Sequence, residues 1–239
     1  MMEPGFYNMD CMEAMKQFPD KFFDLAIVDP PYGDGGQKIG GGTVRTEVRQ
    51  VQASTTSGRI VASQTERGAT RTGGTWATKY AKKLLRGTSP RSSHTLMNCS
   101  ASHVTRLSGG GNYFDLPPSR NFIIWRKLTI SENFSMAMAE YAWTNIIGNA
   151  KVFECAPQGK ANEQRFHPTQ KPVALYTWLL SKYAKPGDKI LDTHVVSASS
   201  LIACHRAGLE YWGFEIDPIY YQAARERLNR ETAQVRMDF

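Results

Sequence analysis

The sequence predicts an α/β fold, a doubly wound and mostly parallel sheet carried by a single domain over residues 1–239. Three observations lead there. From residue 165 onward, helix-period and strand-like runs alternate, as they do when a parallel sheet is wound with crossover helices. The short apolar run Leu25–Val28 stops abruptly at an Asp-Pro-Pro turn, the pattern of a buried parallel strand that ends in a loop. A length of 239 residues with 41% hydrophobic content is enough to bury one substantial core.

Taken in order, "CMEAMKQF" reads as a helix with Asp10 as its N-cap, and "DLAIV" as the strand that follows. Residues 34–111 change texture. They are rich in Gly, Ser, Thr and Arg and show little periodicity, so they are expected to form an atypical basic loop, partly disordered, or a target-recognition insert. Order returns with "NFIIWRKL", which is strand-like. "MAMAEYAWTN" fits either a helix or an irregular strand. "PVALYTWLLSKYA" carries apolar residues at helical spacing (Val173, Leu175, Tyr176, Leu179, Leu180, Tyr183). "KILDTH" is a strand, "SSLIACHRAG" a helix closing at Gly208, "YWGFEID" a strand, and "PIYYQAARERLNRETAQ" a last helix.

Net charge is +7, which favours a polyanionic partner because Lys and Arg release counterions from phosphates; a merely basic protein has the same composition. No apolar run reaches the roughly 18 residues of a membrane span, so a soluble, cytoplasmic chain without membrane contact is expected. Cys11, Cys99, Cys155 and Cys204 are widely separated and read as reduced thiols. His94, His103, His194 and His205 show no ligand spacing, and no metal site is expected.

The motif with most chemical content is "DPPY", Asp29-Pro30-Pro31-Tyr32, at a strand end, where open α/β sheets bind ligands. The exocyclic amine of a base is a poor nucleophile because its lone pair is delocalised into the ring. A carboxylate accepting one N–H and a proline carbonyl accepting the other would draw that nitrogen toward tetrahedral geometry. Tyr32 would offer a face on which a flipped-out base stacks. A plain rigid turn would carry the same four residues.

In order along the chain, "NMDCMEAM", "FDLAIVDPPYG", "HPTQKP" and "DKILDTHVVSASSLIACHRAGLEYWGFEID" resemble the β class of DNA amino-methyltransferases. The likeness covers residues 5–33 and about 112–230. It implies a Rossmann-like methyltransferase sheet of seven strands with a reversed final hairpin, permuted so that the catalytic motif precedes the cofactor motif. It also implies S-adenosylmethionine as cofactor and double-stranded DNA as partner, with a homodimer compatible. By the same resemblance Asp29, Pro30, Pro31 and Tyr32 are catalytic. Asp10, His167, Thr169, Lys171, Asp192, His194, Ser197 and Glu215 bind the cofactor, Glu215 through the ribose hydroxyls; for Asp10 a helix cap remains open beside that role. The Asp of the tetrapeptide leans the reading to adenine N6. Cytosine N4 methylation, or an impaired DNA-binding remnant of the family, are its alternatives. A restriction–modification setting or an orphan enzyme of a phage or prophage suits the short recognition region.

Two departures stand out. Val196 and Ala198 occupy a cofactor loop that usually carries glycines, so Val196→Gly is expected to strengthen cofactor binding. Residues 86–109 lack the helix and strand expected before "GGNYF". With permitted codons read from the third base, they spell "WDIAPEQSYFDELFRVSRNQIIWG", which has both. A pair of compensating frameshifts is the expectation.

Overall fold

The computed structural model describes residues 1–30, 105–113, 116–134, 137–158, 165–167 and 169–233. Pro31, Tyr32 and nearly all of the 34–111 segment therefore lie outside the described residues. So does most of the segment with the alternative frame.

Eight strands among the described residues form one sheet: β1 Gly5–Tyr7, β2 Leu25–Val28, β3 Thr105–Gly109, β4 Phe122–Lys127, β5 Ala139–Thr144, β6 Lys151–Cys155, β7 Lys189–Asp192 and β8 Glu210–Phe214. Their order across the sheet is β1-β8-β7-β2-β3-β5-β4-β6. Only β5 runs against its neighbours; the five pairings that do not involve it are parallel. The sheet is thus mostly parallel and mixed, as expected, with β4 and β5 forming the reversed hairpin. The count differs from seven because β6, absent from the sequence reading, pairs onto the outer side of β4. "MAMAEYAWTN" resolves as a strand, since Ala139–Thr144 is held on both sides by β3 and β4.

A strand also stands where none was expected. Thr105–Gly109 lies parallel to β2 in the register Leu25↔Thr105 through Val28↔Ser108. Its sequence, TRLSG, has little intrinsic β preference, but the slot between β2 and β5 supplies ladder partners on both edges and overrides it. Leu107 is buried there. Ser108 is buried as well, and its hydroxyl has no hydrogen-bond partner among the described residues, a polar group where an apolar side chain would fit.

The helices are α1 Cys11–Met15, α2 Val173–Tyr183, α3 Ser199–Arg206 and α4 Pro218–Thr232. Period-two alternation sends strand side chains to two faces. Leu25, Ile27, Leu107, Ile123, Trp125 and Ile190 pack with Leu175, Leu179, Leu201, Ile202 and Leu228 of α2 to α4. Ala26, Val28, Leu191, Trp212 and Phe214 pack on the opposite side with Cys11 and Ala14 of α1 and with Phe23. Asp10 caps α1 by accepting the Met12 N–H at 2.7 Å, and Asp217 caps α4 through the Ile219 N–H at 2.8 Å. Cover on both faces is what a near-continuous apolar parallel strand such as LAIV requires. No helix among the described residues is long and apolar enough to cross a membrane.

Candidate active site at the carboxyl edge of the sheet

β2, β7 and β8 are parallel, so their carboxyl ends reach the same edge of the sheet. Each ends on an acid: Asp29 follows β2, Asp192 closes β7, and Glu215 follows β8. The charges of Asp29 and Glu215 both act on Asp192.

Asp29 is placed from two sides. On one side β3 supplies Gly109, so close that a Cβ there would sit 2.5 Å from Asp29 Oδ1. Any other residue would push the carboxylate aside. On the other side, Lys171 of "HPTQKP" donates from its ammonium to Asp29 Oδ2 in a very short ion pair. The remainder of that motif holds Lys171 in position. Buried Gln170 accepts the Phe166 N–H, and its own N–H goes to the His167 carbonyl at 3.2 Å. Ser199 Oγ donates to the Lys171 carbonyl at 2.7 Å, tying the segment to the start of α3.

His167 is buried, accepts the Thr169 N–H at Nδ1 and meets the Tyr220 ring edge-on at 4.4 Å. Burial pushes its imidazole down to about 4, with Lys171 and Arg165 adding to the effect, so the ring is neutral at pH 7. Thr169 is exposed. Of the motif's three sequence-predicted ligands, then, only Lys171 is seen to engage the Asp29 end of the site.

The loop between β7 and α3 is the second half of the site. Asp192 is buried, accepts the His194 N–H at 3.0 Å and takes a very short hydrogen bond from Ser200 Oγ. Burial raises its carboxyl to about 7, against the pull of those two donors. His194 lies within reach of the charges of both Asp29 and Asp10, which bring the first helix cap into the same region; enclosure nonetheless lowers its imidazole to about 4. Val196 and Ala198 both adopt left-handed backbone, φ 56° and 61°. The turn therefore keeps the conformation that glycine would adopt without cost, now carried by residues with a Cβ. That conformation aims the Val196 N–H at Glu215 Oε2, 3.1 Å away, while Glu215 Oε1 accepts the Asp217 N–H at 2.9 Å. Glu215 is buried, and burial raises its carboxyl above the ordinary value despite these bonds. Ser197 is buried and turned inward, its hydroxyl 3.2 Å from that of Ser199.

Three functional neighbours escaped the sequence reading. Arg227 of α4 is buried and donates to the Ser197 carbonyl at 2.6 Å and to Ser199 Oγ at 2.9 Å, which pins the left-handed loop from below. Its signal was an arginine on the apolar stripe Ala224, Arg227, Leu228. The other two are Lys127 and Glu140 on the β4–β5 hairpin, joined at 2.7 Å; Glu140 also lies 3.4 Å from Lys171. Lys127 shares the inward period of Ile123 and Trp125, and a lysine on that side of a strand was the available cue.

Residues 143–226 match the family model for DNA methylases. Over that stretch, about a third of the chain, the sequence is similar to the N6/N4 DNA methylases. A curated methylase of Escherichia coli strain K12, YubD, is 33% identical over 69 residues, which make up 29% of this chain and 30% of that protein. The chain thus spans under a third of the length of that methylase. Two solved structures share the fold. The M1.HpyAVI complex with S-adenosylmethionine matches with a TM-score of 0.54 at 18% identity, over 94% of this chain and 98% of that one. The cytosine-N4-specific PvuII DNA methyltransferase matches with a TM-score of 0.55 at 12% identity, over 98% and 92%. The family's matched stretch contains β7, the left-handed loop, α3 and Glu215, the elements built here around Asp192.

The donor set fits S-adenosylmethionine. A carboxylate after the second strand suits vicinal ribose hydroxyls, and a cluster of acids at one strand edge suits a cationic sulfur.

Proposed function

We propose that this chain transfers a methyl group from S-adenosylmethionine to the exocyclic amine of a base in double-stranded DNA, the N6 of adenine. The observation that carries the reading is the meeting of Asp29, at the end of β2, with Asp192 and Glu215, at the ends of β7 and β8, along one sheet edge. An amine-binding carboxylate and a nucleoside-binding carboxylate are what such a transfer must hold together.

When bound, S-adenosylmethionine supplies a methyl group on a positively charged sulfur. Glu215 holds the ribose hydroxyls, with its carboxylate oriented by the Val196 and Asp217 N–H groups. Asp10 and His194 are assigned to the nucleoside; the charges of Asp10 and Asp29 both act on His194, which supports that assignment. Asp29 accepts an N–H of the target amine, and a proline carbonyl of the tetrapeptide accepts the other. Drawn out of the ring by these two acceptors, the nitrogen lone pair would be available to the methyl group that the cofactor supplies, with the sulfur keeping the S–C electron pair. Asp29 receives the amine proton as the neutral methylated base forms. Catalysis here is positioning and amine polarisation. Lys171 holds the Asp29 carboxylate in place before the base arrives. The excess of basic residues supplies phosphate contacts.

The test is to incubate the protein with unmethylated DNA and methyl-labelled S-adenosylmethionine, then digest to nucleosides. Label in N6-methyladenine is the expected result. Label in N4-methylcytosine would correct the base, and no label from folded protein would overturn the reading in favour of a DNA-binding remnant.

A further inference from the structure

We infer that Glu140 and Lys127, on the reversed hairpin, are positioning residues for the Asp29 carboxylate and act on it through Lys171. The inference rests on the function proposed above and concerns the same site.

The four side chains form one chain of alternating charge: Lys127, Glu140, Lys171, Asp29. Two cations and two carboxylates balance, which is how a largely buried cluster avoids a net charge in low dielectric. Side-chain exposure is 6% for Lys127, 29% for Glu140, 10% for Lys171 and 15% for Asp29, so solvent screens these pairs weakly. Burial alone would raise Glu140, yet Lys171 and Lys127 outweigh it and hold the carboxyl below its ordinary value. The acid therefore stays charged between its two lysines.

The backbone makes the arrangement stiff. Glu140 is opposite Trp125 in the β4–β5 ladder, and the Lys127 N–H bonds the Met138 carbonyl at 2.8 Å. The Lys127 ammonium also stands 5.3 Å from the centre of the Trp125 ring. Lys171 carries a compact charge on a flexible four-carbon stem, so a second carboxylate beside it narrows the positions its ammonium can take. Glu140 is the second anion, its Oε2 3.4 Å from the ammonium as an ion-pair partner. Gly109 limits Asp29 on its other side, so displacement of the Lys171 ammonium becomes displacement of the carboxylate.

The experiment compares the full-length wild type with Glu140→Gln, Glu140→Asp and the pair Lys127→Met with Glu140→Gln. The paired variant removes the cation that the single change would strand. Two readouts are taken: methyl transfer, and the rate at which Lys171 is acylated by a small activated ester, followed by peptide mass spectrometry. Glu140→Gln and the paired variant are expected to lower kcat roughly tenfold while KM for cofactor and DNA stays within about twofold. Glu140→Asp restores most of the loss, and Lys171 acylates several-fold faster in both Gln variants. Unchanged kcat in a folded Gln variant, or Lys171 acylation as slow as in wild type, would overturn the inference. Should the wild type transfer no methyl group, the proposed function fails, and the acylation comparison still decides whether Glu140 holds Lys171.

Discussion

Lys171 grips the carboxylate of Asp29 across 142 residues of chain, joining the segment before α2 to the end of β2. The contact makes the site a single object. The residue that would polarise an amine is held by the segment that, through Ser199, is tied to the start of α3, next to the left-handed loop.

The close approach of β3 to that carboxylate gives a first prediction. Gly109→Ala places a methyl group 2.5 Å from Asp29 Oδ1, and the flexible acid swings away. The fold should tolerate this within about 1 kcal/mol, whereas methyl transfer should fall by at least about 10²-fold, the loss typical of a misplaced reacting group. Chemical denaturation alongside a transfer assay checks both parts.

Left-handed backbone at Val196 gives a second. Releasing a β-branched residue from φ 56° should stabilise the protein by about 1 kcal/mol. Val196→Gly should also bind S-adenosylmethionine more tightly, because the loop then needs no forcing to present its N–H to Glu215. Titration calorimetry reads the affinity, and equal Kd values would refute the strain argument.

β3 supplies a third. Ser108→Ala removes a buried hydroxyl without a partner among the described residues and should raise stability by about 1 kcal/mol. A lower Tm in the variant would show that the hydroxyl is satisfied after all.

The fourth concerns pH. His167 falls from 6.5 to about 4 in the folded protein, so the unfolded chain binds this proton more readily. The neutral ring's contribution is fully present above pH 6.5 and drains away as pH falls toward 4, on the order of 2 kcal/mol for a buried ring. His167→Asn keeps an acceptor for the Thr169 N–H and removes the titration. Its Tm should fall less steeply than wild type between pH 6.5 and 4.

Much of this molecule was readable without coordinates, and the reasons are local. LAIV and KILD declare buried strands because no polar residue interrupts their apolar cores, and PIYYQAARERLNRET declares a helix by its composition and length. β3 was missed because TRLSG owes its strand to neighbours, not to its own preferences. β6 was missed for a similar reason: KVFEC pairs at the outer side of β4, where alternation is half exposed. Within the site, the motifs placed Asp29, Asp192 and Glu215 correctly on strand ends. What no motif carried was the pairing of Lys171 with Asp29, the Arg227 anchor, or the Lys127–Glu140 pair, since each depends on a side chain from a distant element.

The most direct test of the account is the rate of labelled methyl transfer to unmethylated DNA by wild type and by Asp29→Ala, both shown to be folded. The account predicts N6-methyladenine from the wild type and a loss of at least about 10³-fold in the variant, since the amine then has no carboxylate acceptor. Transfer by Asp29→Ala at the wild-type rate would contradict it.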